Sequence, residues 1–307
     1  MDDLWPTVEP ASESPNEVIL PETPLRRGRT WRIVGVAAAA AVVFVISLVA
    51  LSSSPQSDSA SAAIVRNAVT SSLASHSMAF VVNETVTSGA TSLTLDGTGA
   101  CDLTAAACTA SFNAHSPSIP VGQIGTIEMV YDGTTFYMKL GGLAGSAFKT
   151  PWVSFAMPVT QLQGSGSSSP VNPLASIAAL ARAGAKVSDL GASTVNGQSA
   201  HSYQVNISSH QLATLFKNKT AKLPRWLRSA LTKHVMSGGT VTEIVAVNAA
   251  GHLCQIQMNI VKTVSGQPLN LHLTETITAY GVPVFITIPP ASEVTSISSL
   301  LNSQLGH

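Results

Sequence analysis

Residues 126–140 read TIEMVYDGTTFYMKL. Two runs rich in aromatic and branched residues flank Asp132-Gly133, and apolar positions recur every second residue through Met129, Phe136 and Met138. An Asp-Gly pair between two such runs is a tight-turn signal, so the stretch predicts a β-hairpin. The same period of two extends outward. Upstream, 78–87 (MAFVVNETVT), 92–101, 108–114 and 124–131 read as strands, and downstream Trp152–Phe155 is a further short one. Strands resume at 186–190, 192–195 and 199–207, with Asn196-Gly197 as a second hairpin turn. The last third gives 240–247, a turn over 248–252, then 253–261, 269–279 and 284–288, before Pro289-Pro290 stops the sheet.

Helical spacing is confined to a few places. In 62–76, Ile64, Val65, Ala68, Val69 and Leu73 fall on one face. Pro173 to Ala183 carries proline at its first helical position, where the missing N–H costs little. Residues 208–217 and 224–236 read as helices, 296–301 as a last helical turn, and 164–169 (GSGSSS) as a loop. The predicted fold class is α+β. About ten or eleven strands in meander order form a curled antiparallel sheet, a half-barrel, packed on a few helices.

The N-terminal part decides the compartment. Ile33 to Leu51 is one uncharged apolar run, IVGVAAAAAVVFVISLVAL, preceded by Arg26, Arg27, Arg29 and Arg32. As a helix it spans roughly 28 Å, about the thickness of a bilayer's hydrocarbon core. Only a helix satisfies its own backbone in lipid over that distance. The arginines assign the preceding tail to the cytoplasm. The expected organisation is a disordered cytoplasmic tail (1–31), a transmembrane helix (32–52), a Ser-rich linker (53–61) and an extracytoplasmic domain (62–307). A signal peptide is the competing reading, but its apolar core is usually shorter and its basic start closer to the N-terminus.

Composition agrees with an exterior location. The 307 residues carry no formal net charge and only 10% are charged, which argues against a nucleic-acid binder. Of the three cysteines, Cys101 and Cys108 flank DLTAAA between strand-like runs. A disulfide across that hairpin and two separate thiols are both open; an oxidising exterior would allow the first. Cys254 sits in an apolar alternation and reads as a buried thiol.

Several motifs together resemble one known family. They are the D-G-x-x-F-Y-M-K hairpin (132–139), the strand of Trp152 and V-N-G-x-x-x-x-x-Y-x-V (195–205). V-N-x-x-G-x-L (247–253) and Y-G-V-P-V-x-I-x-x-P (280–289) complete the set. In this order the chain resembles the actinobacterial LppX/LprAFG lipoprotein family and the wider LolA-like lipoprotein-carrier fold, over nearly all of 62–290. The resemblance implies an apolar cavity between half-barrel and helices that holds acylated lipids. This chain lacks the family's lipobox cysteine; its anchor would be the helix itself. A related branch of the fold serves as a periplasmic sensor module, which the predicted cytoplasmic tail would also suit.

No catalytic constellation stands out. The eight histidines are scattered without metal-ligand spacing, and no G-x-S-x-G elbow or P-loop appears. The expected role is therefore non-enzymatic binding of a lipid or lipoglycan ligand, with no cofactor, no metal and no nucleic acid. The alternative is a sensor or assembly module contacting an envelope protein partner. Candidate cavity residues are Phe80, Val82, Leu93, Leu95, Met129, Phe136, Met138, Val205, Ile256, Met258 and Ile260, though an ordinary solid core shows the same alternation. Lys217, Lys219, Lys222, Arg225, Trp226, Arg228 and Lys233 form a basic cluster suited to an anionic membrane surface or a headgroup, or simply to a solvated helix face.

Overall fold

The computed structural model describes residues 60–89, 91–117, 125–141, 149–156, 186–208, 240–264 and 267–296. The anchor segment, the predicted helices at 173–183, 208–217 and 224–236, the Gly/Ser loop and the basic cluster lie outside these residues, apart from Ser208, which ends a strand. Among the described residues no helix is long and apolar enough to cross a membrane.

Helix α1 is Ala60–Leu73. It buries Ala62, Val65, Ala68, Val69 and Ser72 and packs near β7, β9 and β10; of the residues the spacing placed on one face, Ile64 is instead exposed and Leu73 only half-buried. The strands are β1 (Ser77–Ser88), β2 (Thr91–Asp102), β3 (Ala107–His115), β4 (Thr126–Tyr131), β5 (Thr135–Leu140) and β6 (Trp152–Ala156). Then come β7 (Lys186–Val195), β8 (Gln198–Ser208), β9 (Thr240–Asn248), β10 (Leu253–Val264), β11 (Gln267–Tyr280) and β12 (Val294–Ser296).

All twelve strands belong to one sheet, in the order β12-β6-β5-β4-β3-β2-β1-β11-β10-β9-β8-β7. The sheet is curled and unclosed. It comprises two antiparallel meanders, β1–β6 and β7–β11, joined where the first long strand pairs with the last. β6 and β7, consecutive in chain order, stand near opposite ends of the sheet.

Turn chemistry sets the hairpins. Asn196 (φ 49°) and Gly197 (φ 76°) take the two left-handed positions of a type I′ turn between β7 and β8. In the β4–β5 turn, Asp132 Oδ1 accepts from the N–H groups of Thr134 (2.8 Å) and Thr135 (2.7 Å), while Gly133 adopts φ +94°. Burial opposes the Asp132 charge, but these donors and the Thr134 and Tyr137 hydroxyls hold its carboxyl below the ordinary range. Asn248 Oδ1 caps the β9–β10 turn by accepting from Ala250 and His252.

Four expectations need correction. The two short strands at 186–190 and 192–195 are one strand, bulged between Asp189 and Gly191, with Gly191 at φ +89° and Leu190 turned to solvent. Residues 284–288 form no ladder: Pro283, Pro289 and Pro290 lack N–H donors, both sides of β11 are already taken by β1 and β10, and Phe285 is 85% exposed. The sheet is not wholly antiparallel, because β12 pairs in parallel with Trp152–Ser154 of β6 after a short 3₁₀ turn, Ala291–Glu293. Ser296, expected to start a helical turn, ends that strand.

One buried bond ties α1 to the sheet. The Ser72 hydroxyl accepts from the Leu253 N–H at 2.9 Å, and the Tyr280 hydroxyl donates to the Leu253 carbonyl at 2.7 Å. An unpartnered amide at this depth would cost about 1–3 kcal/mol.

Candidate functional site

Strand alternation divides the sheet into two faces. One face, here called the inner, carries cross-strand rows of apolar side chains from β6 to β7. One row runs Phe155, Phe136, Tyr131, Cys108, Cys101 and Met78; the next runs Val153, Met138, Met129, Ala110, Gly99 and Phe80. On the other half, Val82 leads through β11 to Ile256, Val245 and Tyr203, and Leu273 leads to Met258 and on to Val205 and Val187.

All eleven candidate residues fall on this face. Phe80, Val82, Leu93, Leu95, Met129, Phe136, Met138, Val205, Ile256 and Met258 are buried, and Ile260 is half-buried. Cys101 and Cys108, directly opposite in the β2–β3 register, form a disulfide in the same face. Phe136 and Phe155 pack with ring centroids 5.0 Å apart. Cys254 is not part of this surface. It is half-buried in a small cluster with Val195, Ala200 and Ala246, and burial raises its thiol pKa.

Sequence reasoning missed the polar members of the inner face. Glu84 of β1, Glu275 of β11 and Glu243 of β9 all sit in its apolar rows. Glu84 lies between Leu95 and Leu273, Glu275 between Val82 and Ile256, and Glu243 between Met258 and Val205. Their exposures are 5%, 4% and 3%, and one carboxyl oxygen of each has no hydrogen-bond partner among the described residues. Desolvation by burial pushes Glu84 and Glu275 up to about 8 and Glu243 up to about 7. The signal was present in the alternation: each glutamate replaces an apolar residue in a run such as Leu271, Leu273, Glu275, Ile277.

The opposite face is polar. There Glu128 and Lys139 pair at 3.0 Å, Lys139 Nζ lies 5.8 Å from the Trp152 ring centroid, and a groove of about 440 Å³ runs past Thr98, Ser111 and Glu128 to Trp152. The His252 ring meets that of Tyr280 at a tilt of 59°, and His272 bonds Thr274, so these two histidines do not meet. No group of metal-ligating side chains occurs among the described residues.

No protein-family model matches the chain, and no curated protein is similar to it. Solved structures are. LprF from Mycobacterium bovis matches with a TM-score of 0.40 and 14% identity, covering 75% of this chain and 97% of its own. The lipoprotein LppX from Mycobacterium tuberculosis matches with a TM-score of 0.39 and 13% identity, covering 75% and 100%. A DUF1329 family protein from Desulfovibrio piger matches with a TM-score of 0.28 and 9% identity, covering 74% and 94%. The structures this chain is similar to thus include members of the LppX/LprAFG group that its motifs resemble, at low sequence identity.

Proposed function

We propose that this chain is a membrane-anchored, extracytoplasmic protein of the cell envelope that binds an amphiphile, a lipid or lipoglycan precursor, on the inner face of its sheet. One observation carries the reading: apolar side chains continue in register from β6 to β7 on a sheet whose edges do not meet. Such a face can receive an acyl chain lengthwise. Each methylene withdrawn from water contributes about 0.8 kcal/mol, so a chain of ordinary length is enough for stable capture. Three methionine-derived wall positions, Met129, Met138 and Met258, give the surface conformational adaptability without polar atoms. The role is binding rather than catalysis.

The anchor is the helix at 32–52, built on the apolar run Ile33–Leu51, with the tail in the cytoplasm and the sheet outside. The Cys101–Cys108 disulfide supports the exterior assignment, since such bonds persist where the surroundings are oxidising. Purification of the full chain from its native membrane, followed by solvent extraction and mass spectrometry, tests the binding. A reproducible acylated species in about stoichiometric amount is expected. Recovery of protein with no co-purifying amphiphile, and no uptake of added lipid, overturns the proposal.

A further inference from the structure

Three acids on an apolar surface require an explanation that packing does not supply. Gln, Thr or a hydrophobic residue would fill the same volumes without the cost of an unpartnered carboxyl, which runs to several kcal/mol when ionised. Glu84 and Glu275 are diagonal neighbours on paired strands, with Cβ atoms roughly 7–8 Å apart. Glu243 stands three strands from Glu84, about 14 Å away across the face. The described ionisable groups nearest in register do not neutralise them. Lys139 and Glu128 pair on the other face. His201 bonds Asp189 at the β7 edge, and Tyr203 and Tyr280 carry neutral hydroxyls. Among the described residues, the buried charged groups of the face are these three acids.

We propose that Glu84 and Glu275 form the polar end of the inner-face site and hold a basic nitrogen of the bound amphiphile. This deepens the reading of the face as an amphiphile site and rests on it. A neutral hydroxyl would be served equally well by amide or hydroxyl side chains, whereas acids without a base among them suit a protonated amine. In a dry site an ammonium donating to a carboxylate makes a charge-assisted bond about twice as strong as a neutral one. The elevated carboxyl pKa values fit this: the empty site keeps its protons near neutral pH, and entry of a cation releases one. The apolar rows alongside receive the tail.

The test uses the full chain in lipid nanodiscs, exposed to an equimolar mixture of dodecylamine and dodecanol, with retained ligand read by native mass spectrometry. The amine adduct is expected to exceed the alcohol adduct by about tenfold, the usual scale of one charge-assisted bond over a neutral one. In the near-isosteric double variant Glu84→Gln/Glu275→Gln the two adducts are expected to equalise while total loading persists. Equal adducts in the unmodified chain, or a preference that survives in the variant, overturns the amine assignment and leaves the amphiphile reading standing. Retention of neither probe overturns both.

Discussion

The ring of Phe80 lies over the backbone of Gly99, its partner across β1 and β2, in the space that a Cβ at residue 99 would fill. Phe112 covers Gly97 in the same way from β3. The two glycines therefore do not loosen β2. They make room for aromatic rings to lie flat across the inner face, covering backbone that would otherwise be open.

Gly99→Val places two methyl groups inside that ring. The Phe80 side chain must leave its rotamer or β2 must shift, and overpacking of this kind costs about 1–3 kcal/mol. Urea unfolding of the variant should show a lower midpoint with an unchanged slope. A midpoint equal to that of the unmodified chain would mean the ring moves without penalty.

The buried glutamates set the pH dependence of stability. Unfolded, they lose their protons near the ordinary carboxyl value of 4.5; folded, Glu243 keeps its proton to about 7 and Glu84 and Glu275 to about 8. Between these limits the folded chain binds more protons than the unfolded one. Stability is therefore greatest below about pH 5 for these groups and falls as the pH rises toward 8. The triple variant Glu84→Gln/Glu243→Gln/Glu275→Gln should abolish most of that slope in unfolding curves recorded at pH 5 and pH 8. A profile that keeps its slope would show that other groups govern it.

The Cys101–Cys108 bond closes a short loop, with both sulfurs buried between Met78 and Tyr131. A loop this short constrains the unfolded chain modestly, so reduction or the Cys101→Ser/Cys108→Ser double variant should lower stability by about 2 kcal/mol. Thermal melts with and without reductant provide the comparison, and they should coincide in the double variant.

What was legible in the sequence was mostly local. Asn196-Gly197 announced its hairpin because few other residue pairs accept left-handed backbone, Asp132-Gly133 because the Asp carboxyl gathers turn N–H groups and Gly133 takes a positive φ, and alternation placed Phe80 through Ile260 on one face because strand side chains have a period of two. The β1–β11 pairing was not legible: it joins residues about two hundred positions apart, and its register depends on the whole apolar face. The parallel β12 was hidden by its length of three residues. Val284–Ile288 misled because alternation alone cannot reveal that no free strand edge lies beside it. The glutamates escaped the sequence reading because its candidates came only from the apolar members of each alternation.

Met258 distinguishes a face that holds a ligand from one filled by its own side chains. It lies mid-sheet on the inner face between Leu273 and Glu243. In a solid core, Met258→Trp would force neighbouring side chains off their rotamers and cost about 1–3 kcal/mol. On a ligand-holding face the indole enters space that the amphiphile's tail otherwise occupies. The expected outcome is then a change in stability below about 1 kcal/mol, measured on delipidated protein, with a several-fold drop in co-purified lipid. Gln257→Trp, one residue away but on the opposite face between Ile244 and Thr274, is the matched control and should alter neither quantity. Strong destabilisation by Met258→Trp with no bound lipid in the parent chain would identify the inner face as an ordinary core.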